Sequence, residues 1–163
     1  MANLSANEIF YTAFEPVQKN RFICYMDGFP AFMVKGVGAI TAKQGTVALN
    51  HINVQRFVKG KTTWNEIAFT LHHPITPSGM TSAMEWFRLH HESVTGRDGY
   101  SDFYKKDITF NIIGPPGDIV GEWIIKGALI TSLDMGDFNW DTENTANEIK
   151  LTVQPDYCLL NFG

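Results

Sequence analysis

Apolar and polar residues alternate with a period of two along most of this chain. The alternation is clearest in residues 22–26, 67–71, 108–112 and 149–153. Such spacing places one row of side chains in a core and the other row towards solvent or a neighbouring molecule. Because turn sequences such as Asp27-Gly28 separate these segments, the pattern predicts a mainly β protein, an antiparallel β-sandwich or barrel-like subunit.

One segment departs from this period and predicts a flanking α-helix. Residues that would share one side of a helix recur three and four positions apart, at Ala83, Trp86, Phe87 and His90. Ser82 and Glu85 have the spacing of a capping box, and Gly96 is placed to stop the helix at its C-terminal end. We expect one helix over residues 82–94, packed by Trp86 and Phe87 across the open end or face of the sheets.

Residues 36–61 lose the regular alternation and predict a long hairpin arm. Lys59-Gly60-Lys61 has the composition of a turn, and the phase of the pattern puts Val47 and Leu49 on one face and Val54 on the other. Long irregular segments are uncommon in compact domains and are often functional. We therefore predict an arm that projects from the body and completes its burial against another copy; a mobile surface hairpin is the alternative. The candidate contact residues are Gln44, Val47, Leu49, His51, Ile52, Val54, Arg56, Lys59 and Lys61.

The composition allows one domain over residues 1–163, with residues 1–14 as an N-terminal extension. The chain is 44% hydrophobic and 18% charged, as is usual for soluble globular proteins. Its net charge of −4 gives no general attraction to nucleic acid or to an anionic membrane. No apolar run approaches the ~20 residues that span a bilayer, and no signal-peptide pattern is present at the N-terminus. Cys24 and Cys158 are expected to be reduced, half-buried thiols, and a disulfide is the alternative.

No group of reactive side chains has the spacing of a known catalytic or metal site. His72-His73 and His90-His91 are adjacent pairs, whose side chains diverge on a strand or a helix. The acidic tract of residues 134–143 lacks the ligand spacing of a calcium loop, and Phe138 and Trp140 within it are expected to be buried rings that anchor a turn. Nucleophile elbows and glycine-rich phosphate loops are also missing. We expect a protein that is not an enzyme and that binds no cofactor or metal.

Four blocks of the chain are distinctive in combination. They are Lys59–Glu66 (KGKTTWNE); Trp86–Asp107; Gly114–Asp118 (GPPGD), followed by Trp123 and Gly127-Ala128; and Asp137–Trp140 (DFNW), followed by Glu148–Tyr157. Together they resemble the tail tube proteins of contractile-tailed bacteriophages, a family whose architecture is shared by the tube of type VI secretion systems. Pro155 departs from the unbroken final strand expected of that family. Since proline cannot donate to a ladder, residues 156–160 are predicted to leave the sheet or to run along an edge.

The resemblance implies a structural virion protein whose hexameric rings stack into the inner tail tube that conducts phage DNA into the host cell. It implies assembly in the host bacterial cytoplasm, a sheath protein outside, and baseplate or initiator and terminator proteins at the two ends. The tape measure protein and double-stranded DNA would occupy the lumen without sequence-specific binding. The first alternative is the hexameric tube of a type VI-like secretion or contractile injection system. More distant alternatives are a monomeric barrel that binds a small ligand and a hydrolase.

Within that tube, the sequence offers two sets of candidate surface residues. A basic lining would hold DNA phosphates, whereas an acidic or neutral lining leaves DNA free to slide. The candidate acidic lining residues are Glu66, Asp107, Glu122 and Glu148. The polar side of the predicted helix is a candidate contact with a neighbouring subunit or the sheath, through Arg88, His91 and Glu92. Alternatively, the helix only covers the core of its own subunit.

Overall fold

The computed structural model describes residues 14–162, so the predicted extension over residues 1–14 lies outside this range except for its last residue. The strands in the described range are β1 (Phe22–Met26), β2 (Val34–Val37), β3 (Ala42–His51), β4 (Val54–Trp64), β5 (Ile67–His72), β6 (Lys106–Ile113), β7 (Ile119–Asp134), β8 (Glu148–Gln154) and β9 (Tyr157–Phe162). The helical elements there are a 3-10 turn (Ala31–Met33), helix α1 (Gly79–His90) and the short helix α2 (Ser101–Tyr104).

Seven of these strands form one antiparallel sheet that is folded on itself. Its order is β1-β6-β7-β8-β5-β2, and β9 also pairs with β7. The remaining strands, β3 and β4, pair only with each other. The predicted fold class, mainly β and antiparallel with one flanking helix of several turns, is confirmed.

Strand β7 is shared by the two halves of the folded sheet. Its first part pairs with β6 and β9, and its second part pairs with β8. We call β1, β6, the first part of β7 and β9 the β1 half, and the second part of β7, β8, β5 and β2 the β5 half. The bend lies at Gly127, which has a φ of +64° and faces the Asp156 side chain, so a Cβ there would be strained and would clash.

Pro155 forms the matching bend between β8 and β9. The chain leaves β5 at this residue and continues along the same side of β7, where the Asp156 N–H donates to the Lys126 carbonyl oxygen at 2.9 Å. Strand β9 then pairs with β7 alone. The prediction that proline moves residues 156–160 to a sheet edge is confirmed.

The core lies between the two halves and is built from one row of each alternating strand. Residues such as Phe69, Ile125 and Leu151 are fully buried, and burying each such side chain stabilises the fold by roughly 1.5–3 kcal/mol. Trp86 of α1 is also buried, and its indole N–H donates to the Tyr104 carbonyl oxygen at 2.7 Å. The helix therefore covers the core as predicted, although its bounds differ from those expected.

Helix α1 begins at Gly79 rather than Ser82. The Ser78 hydroxyl is the N-cap and accepts the Thr81 N–H at 3.4 Å, whereas the predicted capping box of Ser82 and Glu85 does not form. Gly79 permits the early start because a Cβ at this position would lie 2.9 Å from both Ile149 and Met33 side-chain atoms. Close packing against the sheet, which the helical pattern alone does not report, therefore sets the first turn.

Helix α1 also ends at His90 rather than Val94. His91 has extended backbone, and its N–H closes the last turn by donating to the Phe87 carbonyl oxygen at 3.1 Å. Gly96 does have a positive φ, +69°, but it closes a separate turn in which its N–H donates to the Glu92 carbonyl oxygen at 2.8 Å. The glycine signal was real but belonged to the turn after the helix.

His90 joins the end of α1 to the sheet. Its Nδ1 lies 3.1 Å from the Trp86 carbonyl oxygen, and its Nε2 accepts the Ile130 N–H at 3.1 Å. Only the neutral ring with its proton on Nδ1 satisfies both contacts. The ring also stacks on Tyr104, with 4.5 Å between ring centroids. Burial lowers the pKa of His90, and Lys106 nearby lowers it further, although the hydrogen bond to Trp86 opposes these effects.

Candidate functional site

The arm formed by β3 and β4 is exposed along most of its length. Its strands are ten and eleven residues long, which corresponds to a projection of roughly 30 Å. The predicted range, residues 36–61, was wrong at both ends, since the ladder runs from the pair Ala42 and Trp64 to the pair His51 and Val54. Lys59-Gly60-Lys61 is not a turn: it lies within β4, opposite a register shift between Gln44 and Thr46.

The two-residue turn at the arm's tip, Ile52-Asn53, determines which side chains share a face. His51 pairs directly with Val54, Leu49 with Arg56, and Val47 with Val58. Val54 therefore lies on the same face as Val47 and Leu49, and the prediction that it lies opposite was wrong because a two-residue turn mirrors the alternation of one strand in the other. The result is an exposed, largely apolar face that carries Val47, Leu49, Val54 and Val58, with His51 and Arg56 among them.

The arm is also uniformly basic. Four basic residues and no acidic residue lie in residues 42–64, namely Lys43, Arg56, Lys59 and Lys61. None of the four forms an ion pair with any residue in the described range. Two-stranded hairpins are marginal in water without a supporting surface, so an arm of this length with an exposed apolar face is suited to contact another molecule.

Within the seven-stranded sheet, β1, β2 and β9 each pair with a single strand and leave one ladder edge open. Exposed apolar side chains accompany two of these edges, Ile23 and Tyr25 on β1 and Leu159, Leu160 and Phe162 on β9. Open edges with apolar side chains template pairing with a further chain. These edges are therefore candidate surfaces for contact between subunits.

The two outer faces of the folded sheet differ in chemistry. The outer face of the β1 half is mixed: it carries the apolar or aromatic residues Ile23, Tyr25, Ile124, Tyr157 and Leu159 and the polar residues Asp107, Thr109, Glu122 and Lys126. The outer face of the β5 half is polar and includes Lys35, Thr70, Ser132, Asp134, Glu148, Lys150 and Thr152. The first face is suited to be covered and the second to remain in water.

The four predicted acidic lining residues do not share one face. Asp107 and Glu122 lie on the outer face of the β1 half, Glu148 lies on that of the β5 half, and Glu66 is in the exposed β4–β5 connection. Asp107 accepts hydrogen bonds from Lys126 Nζ at 2.8 Å and from the Gly127 N–H at 3.1 Å, which lower its pKa.

Glu148 is also paired within the subunit. Its carboxylate accepts a hydrogen bond from Lys35 Nζ, and this contact lowers the pKa of Glu148. Asp134 and Lys150 are register partners on the same face. Positive and negative side chains thus alternate on this polar face, and its charge is balanced.

The predicted contact residues of the helix are now divided into two groups. Arg88 is exposed and forms no ion pair within residues 14–162. His91 Nδ1 lies 2.8 Å from Asp98 Oδ1, and Glu92 Oε2 accepts the Thr95 hydroxyl at 2.5 Å. His91 and Glu92 therefore hold the turn that follows the helix, which leaves Arg88 as the candidate for an external contact.

The loop between β7 and β8 contradicts the prediction of buried rings. Trp140 is fully exposed and Phe138 is 76% exposed. Only the base of the loop is tied down: the Gly136 N–H donates to Asp134 Oδ1 at 2.8 Å, and Asn147 Nδ2 donates to the Met135 carbonyl oxygen at 3.1 Å. Sequence reasoning missed this surface because an aromatic residue in a turn reads the same whether its partner is in the same chain or in another.

No metal or membrane feature adds to these surfaces in the described range. Among residues 14–162, no three His, Cys, Asp or Glu side chains are grouped so that they could hold a metal ion. No helix in the same range combines the length and apolar character needed to cross a membrane.

Solved tube assemblies contain chains with the fold of this protein. A structure of the tube-terminating cap of the anti-feeding prophage gives a TM-score of 0.76 at 17% identity, covering 98% of this chain and 100% of that chain. The sheath–tube complex of an extracellular contractile injection system gives 0.71 at 18% identity, covering 99% and 100%. Hcp1 from Flavobacterium johnsoniae gives 0.54 at 14% identity, covering 88% and 96%. No protein-family model and no curated protein matches the chain.

At these identities the likeness shows a common fold. Matches that cover nearly the whole of both chains include the helix and the arm as well as the sheet. The predicted resemblance to tube proteins, including its relation to the type VI tube, is therefore confirmed at the level of the fold.

Proposed function

We propose that copies of this chain form hexameric rings that stack into the hollow inner tube of a contractile injection apparatus. The observation that carries the proposal is the arm, a long hairpin with large exposed apolar side chains and with basic side chains that form no ion pair in the described part of the subunit. A second copy supplies the surface that such a hairpin requires. The role is structural, and no chemical step is involved.

Ring closure would use the open ladder edges. Each copy offers β1, β2 and β9 as edges, and pairing an edge of one copy with a different edge of the next gives a head-to-tail contact. Such contacts close into a ring when the rotation between copies allows it. The exposed edges, a liability in a monomer, are then removed by assembly.

The polar outer face of the β5 half is the better candidate to line the channel. A water-filled channel leaves polar side chains hydrated, whereas the exposed apolar and aromatic side chains on the outer face of the β1 half gain from being covered by a neighbouring subunit or a sheath. Of the four acidic candidates, only Glu148 lies on the polar face, where Lys35 balances its charge. A balanced lining does not hold phosphates strongly, so it would let either nucleic acid or protein pass.

The nature of the cargo separates two versions of this proposal. In the phage version, the tube belongs to a virion tail, surrounds the tape measure protein and conducts DNA. In the alternative, it belongs to an extracellular injection or type VI-like system, which the likeness to the sheath–tube complex of such a system favours. Both versions place a sheath outside and baseplate and terminator proteins at the ends. Nucleic-acid and protein analysis of intact purified particles distinguishes the two.

Excision of the arm tests the shared part of the proposal. Replacing residues 46–59 with Asn-Gly removes most of the ladder but retains Gly45, Gly60 and the pairs at the arm's base, and Asn-Gly suits a tight hairpin turn. We expect the shortened chain to fold, with a far-ultraviolet circular dichroism spectrum that is still that of a β-sheet protein. It should form no tubes by electron microscopy. Tubes that form equally well without the arm would contradict the proposal.

A matched control uses the exposed Lys19, which lies outside the arm. Lys19→Glu changes surface charge without touching β3 or β4, so its tubes should equal those of the unmodified chain. Sizing chromatography followed by electron microscopy provides the readout for all three proteins.

A further inference from the structure

The arm and the β7–β8 loop lie at opposite ends of the β5 half. At one end, Ile67 pairs with Val153, next to the base of the arm, where Gln154 Nε2 donates to the Trp64 carbonyl oxygen at 2.7 Å. At the other end, His72 pairs with Glu148, the first residue after the loop. The six residues of β5 separate these ends by roughly 20 Å. When copies are placed end to end along β5, the base of the arm of one copy therefore lies at the end that faces the loop of the next.

The loop has the features of a docking surface. Phe138 and Trp140 project from it, and with Asn139 and Thr142 they line an open groove of about 440 Å³. Its base is held by the hydrogen bonds of Asp134 and Asn147 described above, so the rings are presented from an anchored frame. Large exposed aromatic side chains on such a frame are typical anchors of protein interfaces.

The charges of the two regions are complementary. Residues 134–148 contain five acidic residues and no basic residue: Asp134, Asp137, Asp141, Glu143 and Glu148. The carboxylates of Asp137, Asp141 and Glu143 form no ion pair within residues 14–162. The arm carries four basic residues and no acidic one. Two arms therefore repel each other, as do two loops, whereas an arm and a loop attract each other.

We propose that the arm of one copy docks on the β7–β8 loop of a second copy, with its apolar face against Phe138 and Trp140 and its basic residues against the loop carboxylates. The contact joins two different surfaces at opposite ends of the β5 half, and when it is made along the tube axis it repeats from ring to ring without closing. It therefore sets the direction and register of stacking between rings. This inference rests on the proposed self-assembly and names the surface that receives the arm.

Charge reversal tests the contact. An arm-reversed chain (Arg56→Glu with Lys59→Glu) and a loop-reversed chain (Asp137→Lys with Asp141→Lys) each place like charges opposite one another. We expect each to lose at least about tenfold in the protein that pellets as tubes, because juxtaposed like charges are strongly unfavourable at an interface. Circular dichroism and thermal unfolding check that both chains remain folded.

Rescue by complementary changes gives the test its specificity. A chain that carries both reversals should form tubes again, and an equal mixture of the two singly reversed chains should co-assemble, since each then meets an opposite charge. If the doubly reversed chain and the mixture both stay unassembled, or if only one single reversal has an effect, the contact between arm and loop is overturned. Tubes of normal yield from both single variants would overturn it as well.

These outcomes are separate from failure of the proposed function. If the unmodified chain forms neither rings nor tubes, self-assembly itself is wrong. If the unmodified chain forms tubes but charge reversal has no effect, or acts from one side only, or is not rescued, self-assembly stands and only the docking surface is wrong. Trp140→Ala provides a second, charge-neutral variant, and it should reduce pelletable tubes without affecting the thermal unfolding of the subunit.

Discussion

Strands β4 and β5 follow one another in the chain but occupy opposite environments. In β5, every second residue is fully buried between the two halves of the sheet, whereas β4 has no buried residue. Both strands contain β-branched or aromatic residues, but only β5 alternates regularly. The body of the subunit therefore completes its own core, while the arm has the pattern of a half-buried hairpin without the surface that would bury it.

The largest expected difference comes from truncating the same residue type in each strand. Phe69 of β5 is 0% exposed and Phe57 of β4 is 63% exposed. Phe69→Ala should destabilise the subunit by about 3–5 kcal/mol because it leaves a cavity, whereas Phe57→Ala should change its stability by less than about 0.5 kcal/mol. Chemical denaturation of the isolated subunit measures both. Equal effects would show that the arm packs on its own body.

A smaller effect is expected at the junction between helix and sheet, through His90. Its pKa is lowered from the ordinary value of 6.5 in the folded state, so below pH 6.5 the unfolded chain binds more protons than the folded chain. Stability should therefore be complete above about pH 6.5 and should fall as the pH falls below it. Unfolding midpoints measured from pH 7.5 to pH 5 provide the check.

His90→Ala provides the matched variant for that pH series. Loss of the two hydrogen bonds to Trp86 and Ile130 should cost about 2 kcal/mol at pH 7.5, at about 1 kcal/mol for each bond. The part of the pH dependence that belongs to His90 should vanish in this variant. An unchanged slope between pH 7 and pH 5 would assign that dependence to other groups.

Single cysteines placed on the two outer faces should have the smallest effect on the stability of the subunit. Their reactivity with a maleimide should nevertheless differ sharply once tubes have formed. Ser132→Cys on the β5 half and Tyr25→Cys on the β1 half should both react with a small maleimide in isolated subunits. In tubes, Ser132→Cys should remain reactive through the channel, while Tyr25→Cys should be covered. The reverse pattern would show that the outer face of the β1 half lines the channel and that the outer face of the β5 half is covered.

The native thiols give this measurement a low background. Both Cys24 and Cys158 are free thiols, as predicted, and both are buried rather than half-buried. Burial raises the pKa of Cys24 to about 12 and that of Cys158 to about 11. Both therefore remain protonated and weakly reactive at neutral pH, which the unmodified chain should confirm as a blank.

Much of the body was predictable from the sequence because its strands obey one local rule. The buried rows of β1, β5 and β8 are those that the alternation indicates, and Pro155 marks the strand that moves to an edge. The errors fall where a local signal has two structural meanings. Gly60 was read as a turn and is part of a bulge; Gly96 was read as the end of a helix and closes the next turn.

The candidate surfaces were less predictable than the fold. The arm was recognised from its broken alternation, but its faces depended on the two-residue turn at Ile52-Asn53. The acidic candidates for the channel lining could be named from the sequence but not placed on a face. The bend in β7 separates Asp107 and Glu122, which lie on the β1 half, from Glu148, which lies on the β5 half. Phe138 and Trp140 were expected inside and lie outside, since hydrophobicity predicts burial but does not say against which molecule.

By itself, the sequence determined the strand rows, the presence of one long helix, the existence of an arm and the resemblance to tube proteins. These follow from the period of the hydrophobic pattern, from the backbone chemistry of proline and glycine, and from distinctive blocks of sequence. Each of these signals involves only residues that are near one another in the chain. Only the tertiary structure decided where β7 bends, where α1 begins and that arm and loop lie at opposite ends of the same half. Those features depend on contacts between residues far apart in the chain, which no local period encodes.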